Sequence, residues 1–243
     1  GGGLVALLAI RLPRSTPSSA TASPDKAERP TLHSALEGLR FIRRTPILLA
    51  AISLDLFAVL FGGAVALLPA IAEERLGVGD VAYGWLRAAP GIGAAAMAVF
   101  LASRPVTRLV GRKLLFVVGL FGVMTVVLGV TSNYVVAFVA LVVLAGADMI
   151  SVFIRGTLVP LVTPDDKRGR VTAVENVFIG ASNELGAFES GVAAQALGTQ
   201  VAVVGGGVAT IAIVGLWWVF FPSLRDVDRF DEIDPAVIRE SSD

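Results

Sequence analysis

The residues of this chain whose chemistry calls for an explanation are ionisable side chains set inside long apolar runs. An ionised group at the centre of a bilayer costs at least about 2.5–3.5 kcal/mol on insertion scales, so its presence there needs a reason. Asp55 follows Pro46 by nine positions, which at about 1.5 Å per residue puts it about 14 Å along a helix, near mid-bilayer. A carboxylate at that depth can take up and release a proton and serve as a proton carrier; the plainer alternative is a neutral Asp bonded to a neighbouring helix. Asp148 and Arg155 are seven apart, so on a helix they share a face about 10 Å apart. Ser151 lies between them. An acid, a hydroxyl and a guanidinium in one stripe suit a water-lined cavity better than lipid, although Arg155, at the end of its run, could also snorkel to the interface.

A third run is the most polar. Asn176, Gly180, Asn183, Ala187 and Ser190 recur at helical spacing and form a small, polar stripe flanked by Glu184. Lipid cannot satisfy those amides, so this face is expected to meet other helices or a transport pathway. Glu184 and Arg87 fall at similar depths, about 20 Å from the same surface, which predicts that they pair or share a water. Glu175 and Glu189 lie nearer the two mouths and are read as solvated.

Much is excluded. The chain has no Cys and a single His, His33, so disulfides, thiolate metal sites and cysteine nucleophiles are ruled out and little is left for a metal centre. Twenty basic residues balance twenty acidic ones, which argues against a basic nucleic-acid binder. A membrane-embedded enzyme wants a His, Cys or carboxylate constellation near an interface, and no apolar run supplies a His or Cys. No cofactor is expected, and the chain is not expected to be an enzyme.

The elements that must position these groups are membrane helices. Of 243 residues, 55% are hydrophobic and 16% charged, where soluble domains average about 25% charged. Six windows approach the roughly 20 apolar residues needed to span: Pro46–Ala72, Val81–Ala102, Leu114–Val130, Tyr134–Ile154, Val171–Leu197 and Val201–Phe221. Bilayer interiors offer backbone groups no water, so each should be a helix. Residues 46–221 thus form the expected bundle. Residues 1–12 are apolar but too short to span and read as the end of a helix whose beginning is missing, the chain being a piece of something longer. Residues 13–45 read as a linker: Pro13–Pro30 is rich in Pro, Ser and Thr, while Thr31–Arg44 patterns as a basic amphipathic helix able to lie among headgroups. Residues 222–243 read as an acidic, solvated tail.

Cations orient the spans. Placing the segment after Leu12 in the cytoplasm puts eighteen of the twenty basic residues on that side; Arg75 faces out and Arg87 lies in a span. The positive-inside rule then makes both termini of the chain cytoplasmic and the protein a multi-pass cell-membrane protein. Tyr83, Trp85 and Tyr134 fall at the outer boundary and Trp217, Trp218, Phe220 and Phe221 at the inner one, as interfacial aromatics do. Small-xxx-small pairs, Gly84 with Ala88 and Ala89 with Gly93, allow close helix approach, and Pro90 between them removes a helical hydrogen bond.

Three stretches carry a resemblance. TPDDKRGRVTAVENVFIGASNELGAFESG (Thr163–Gly191), YGWLRAAPGIGA (Tyr83–Ala94) and EGLRFIRRTP (Glu37–Pro46) resemble the major facilitator superfamily, and within it the enterobactin-exporter-like branch of transmembrane secretion effectors. The resemblance runs over Gly1–Arg229 as the C-terminal half of that architecture. It implies an all-α membrane protein whose six transmembrane helices form one half of a twelve-helix fold, plus the end of a preceding helix. The family's cytoplasmic gating motif, G-x-x-x-D-R-x-G-R-[KR], is echoed by SRPVTRLVGRK (Ser103–Lys113): Gly111, Arg112 and Lys113 match, while Arg108 stands at the acidic position. The implied function is secondary active, proton-coupled efflux of a small amphipathic molecule such as a siderophore or drug by alternating access. Asp55, Arg87, Asp148, Arg155, Asn183 and Glu184 are then candidates for proton coupling or the pathway, and Arg108, Gly111, Arg112 and Lys113 for the gating loop. The expected partners are membrane lipid, the transported molecule, and a missing N-terminal six-helix half or a second copy. The alternative is a half-size membrane protein without independent transport activity, acting as a scaffold or needing a partner half.

Overall fold

A computed structural model describes residues 32–230; residues 1–12, most of the expected linker and the chain beyond 230 lie outside the described residues. Among the described residues every regular element is helical. The long helices are α1 (Leu32–Arg44), α2 (Pro46–Phe61), α3 (Asp80–Ser103), α4 (Val110–Val130), α5 (Tyr134–Val162), α6 (Asp165–Leu197) and α7 (Thr199–Phe220), followed by the short α8 (Pro222–Arg225). Five helical stretches are long and apolar enough to cross a membrane: Pro46–Leu76, α3, α4, α5 and α7. The helix over the fifth window, α6, is too polar to join that set, yet at 33 residues and about 1.5 Å per residue it is about 50 Å long, well beyond a hydrocarbon core.

The boundaries differ from the expected windows in ways that matter. The Pro46–Ala72 window is one interrupted helix. α2 starts with Pro46 in its first turn, where a missing N–H costs nothing. It stops at Gly62, passes through a 3-10 turn (Gly63–Val65) and one α-turn at Pro69, and resumes as a π-turn (Ile71–Leu76) that Gly77 ends at φ 59°. α5 runs to Val162, two turns past the expected end at Ile154, with Pro160 in its last turns. α6 begins at Asp165, six residues before the expected Val171, with Asp165 and Asp166 in its first turn, where carboxylates favour the positive end of the helix dipole.

Glycines set the close crossings. A Cβ on Gly93 would strike the Val142 carbonyl, so α3 lies directly on α5; Ala89 is buried in the same seam. Gly84, of the other expected pair, has nothing within 4 Å. α3 continues through Pro90. Gly122 and Gly207 face each other, each with the other's carbonyl within about 3 Å of where a Cβ would sit, and join α4 to α7. Gly186 on α6 meets the Val59 and Leu60 carbonyls at 2.8 and 2.9 Å in the same sense. Apolar cores occupy both ends of the bundle. One is built around Leu48, Leu54, Leu114, Ile154, Leu158 and Leu224, the other around Leu68, Ile71, Leu86, Leu128 and Leu141.

Candidate functional site

Three helices bring their inward ionisable residues together. Asp55 lies on the α2 face that buries Leu48, Ala51, Ile52 and Ala58. Arg155 lies on the α5 face that buries Leu144, Ala147, Ser151, Leu158 and Val162. Glu175 follows Val171 and Val174 on the buried side of α6. Arg155 Nη2 stands 2.8 Å from Asp55 Oδ1, and Nη1 donates to Glu175 Oε1 at 3.5 Å. The Arg155 and Asp55 side chains are 6% and 7% exposed, so this is a desolvated network in which one guanidinium bridges two carboxylates from different helices. Removing either partner from such a pair strands a buried charge.

A cavity of about 10 Å³ adjoins the network, lined by Asp55, Asp148 and Ser151 among apolar residues of α2, α4 and α5, room for about one water. The Ser151 hydroxyl and Arg155 Nε are buried without a hydrogen-bond partner. Asp148 brings a third carboxylate to a network that holds one guanidinium. Three acids, one base, a free hydroxyl and a water-sized space form an arrangement that can hold and pass a proton.

Asp55 and Arg155 are thus paired, Asp148 lies beside Asp55 on the cavity, and two readings change. Arg155 does not snorkel, because α5 continues past it and leaves it inside the helix rather than at its end. Glu175 is not solvated; it is the second acceptor on Arg155. The signal for it was the spacing Val171, Val174, Glu175, Phe178, which places Glu175 on an apolar stripe.

Other candidates lie elsewhere. Arg87 is exposed and donates to Tyr83 Oη at 3.4 Å. Glu184 is exposed too, and among the described residues no ion pair joins it to Arg87, contrary to expectation: the two residues sit on outward faces of α3 and α6. Asn183 donates to the Ile179 carbonyl one turn back at 2.8 Å. Of the small, polar stripe on α6, Asn176, Gly180, Asn183 and Ala187 are exposed and only Ser190 is buried. The α6 face packed within the described bundle is instead Val171, Val174, Ser182, Gly186 and Ser190.

The loop candidates gather a partner from the far end of the chain, Asp228. Arg108, Arg112 and Lys113 are exposed, while Gly111 is buried beneath the Leu224 carbonyl. The Leu109 N–H donates to Asp228 Oδ1 at 3.0 Å, Val110 N–H to the Asp228 carbonyl at 3.2 Å and Gly111 N–H to the Val227 carbonyl at 3.1 Å. Asp228 Oδ2 is also 4.0 Å from Arg108 Nε. The stretch from Pro222 to Phe230 is therefore not the solvated start of a tail. Leu224 is 1% exposed, and Val227 and Phe230 pack on the same core. Beside it, a hydrogen bond from Arg225 holds the Asp226 carboxyl below the usual carboxylate range.

The opposite end of the bundle is tied by side chains of the π-turn Ile71–Leu76 and of the first turn of α7. Arg75 donates to Gln200 Oε1 at 2.5 Å and to the Val130 carbonyl at 2.9 Å, and Thr199 donates to Glu74 at 2.7 Å.

Compared with known proteins, residues 5–240 match the sequence model of one family, described as transmembrane secretion effector. No curated protein and no solved structure matches the chain.

Proposed function

The chain belongs to the transmembrane secretion effector family of the major facilitator superfamily, and from that premise we propose that it drives proton-coupled efflux of a small amphipathic molecule, such as a siderophore or drug, by alternating access. Transport across a membrane follows from the family; the coupling ion and the cargo are our reading. The observation that carries it is the Asp55–Arg155–Glu175 network with Asp148 and Ser151 beside a water-sized cavity. In such a site protonation of one acid releases Arg155 to the others, so that proton uptake changes which helices are tied together. That is a direct link between a proton and the rocking of helices.

The described bundle is, on this reading, one half of the transporter, with the α1 and α8 end cytoplasmic. α1 lies against the start of α6, where Arg170 Nη1 bonds Glu37 Oε2 at 2.6 Å. Apolar outer faces carrying Val99, Phe116 and Phe188 meet lipid. The polar face of α6, with Asn176, Asn183 and Glu184, has no helix of this bundle over it and is suited to a pathway shared with a second six-helix unit, an N-terminal half or another copy. The same uncovered face supports a second reading, a half-size protein inactive until a partner half is supplied.

Dye efflux and proton flux from vesicles, driven by a pH gradient, test the first reading. Asp55→Asn and Asp148→Asn should each abolish pH-driven efflux while leaving the protein folded. Unchanged pH-driven efflux in both variants would sink the proton-carrier assignment. Activity that appears only when a second six-helix unit is added would favour the second reading.

A further inference from the structure

The acid missing from the 104–113 loop is present in space. Where the resembling motif places an acidic residue, this chain has Arg108, yet a carboxylate reaches the same few atoms from 119 residues away. We propose that Asp228 is a positioning residue of this loop, supplying from the segment after α7 the carboxylate that the loop lacks. Four observations converge on it. Asp228 Oδ1 accepts from the Leu109 N–H, and the carbonyls of Asp228 and Val227 accept from Val110 and Gly111, so three successive amides at the start of α4 are satisfied by one segment. Helix starts leave such donors unpaired, and a carboxylate there is favoured by both hydrogen bonding and the helix dipole. Leu109 is the single non-glycine residue with positive φ among those described, at 55°, a conformation that costs an L-residue energy and must be held by its surroundings. Gly111 leaves no room for a Cβ against the Leu224 carbonyl, so the segment lies directly on the helix backbone. Leu224 anchors the segment from its other side, 1% exposed.

The Arg108 contact is the minor part, since at 4.0 Å with the guanidinium 73% exposed it is a surface pair worth little. The amide contacts are what fix the loop. They make the α3–α4 loop, the start of α4 and the end of α7 one body, so the loop cannot shift without parting from the chain beyond α7. The loop's role in gating rests on the transport reading above; the clasp itself does not.

Hydrogen exchange of the 104–116 peptide on the full chain, together with vesicle efflux, tests this. Asp228→Ala should raise exchange at Leu109–Gly111 about five-fold, the scale of losing a helix-capping side chain, and should slow efflux. Asp228→Asn keeps the oxygen acceptor and should change exchange less than Asp228→Ala. Arg108→Asp combined with Asp228→Ala puts the acid back into the loop itself and should recover efflux, a rescue that a merely structural role of Asp228 would not give. Unchanged exchange in Asp228→Ala overturns the clasp. Raised exchange without recovery in the double variant overturns the replacement of the motif acid. If the parent protein shows no efflux, the exporter reading fails while the exchange arm still decides the clasp.

Discussion

The two faces of α6 carry similar chemistry and opposite surroundings. One face brings Glu175 to Arg155 and seats Gly186 on the backbone of α2. The other presents Asn176, Asn183 and Glu184, all exposed among the described residues. Polarity on the first face is consumed by the fold: each charge has a partner, and the partner is costly to lose. Polarity on the second face satisfies little within the described unit beyond the Asn183 bond to its own helix. α6 thus holds its bundle with one side and leaves polar side chains exposed on the other.

Variants that separate the faces sharpen or break this contrast. The largest effect should come from Arg155→Ala, which strands Asp55 and Glu175 and should cost about 3–5 kcal/mol, read as a lowered unfolding midpoint in detergent. Gly186→Val should cost about 1–3 kcal/mol, because its side chain would enter the Val59 and Leu60 carbonyls; Gly180→Val, one and a half turns away on the open face, should stay within about 0.5 kcal/mol. Equal losses at the two glycines, by the same melting measurement, would erase the distinction. Glu175→Gln should lie lower, about 1.5 kcal/mol, since its contact is the longer of the two and a charged hydrogen bond is weakened rather than removed. Smallest in stability is Glu184→Gln combined with Asn183→Ala, expected within about 0.5 kcal/mol while efflux falls. Loss of folding there would move the outer face into the structural class.

How much of this was readable without coordinates depends on whether the determinant is local. Apolar length named the helices, and the depth of Asp55 marked it before any partner was known. The end of α5 is not legible in the apolar window, which closes at Arg155, whereas Gly156–Val162 still satisfies its backbone as helix and carries buried Leu158, Val159 and Val162. The interruption at Gly62 was hidden because an apolar run looks the same whether or not its helix is continuous. Which carboxylate meets which cation depends on rotation and register between helices, and spacing within one helix does not encode that. Equal depth therefore paired Arg87 with Glu184 on faces that do not meet. Charge alone places Asp228 in a solvated tail, although Leu224 and Val227 supply the apolar anchor that docks it.

The interruption of α2 has an electrostatic consequence. The last carbonyls of a helix lack intrahelical donors and carry the equivalent of about half a negative charge. In α2 these belong to Val59, Leu60 and Phe61, and Gly186 and Gly206 press against them, so backbone CH groups stand where water would otherwise solvate a helix end. The negative pole of α2 is thereby enclosed in the bundle a turn beyond Asp55, instead of being discharged at a surface. The end of α2 is closed by the glycine backbones of α6 and α7, so the level at which α2 breaks is also the level at which the three helices are locked together.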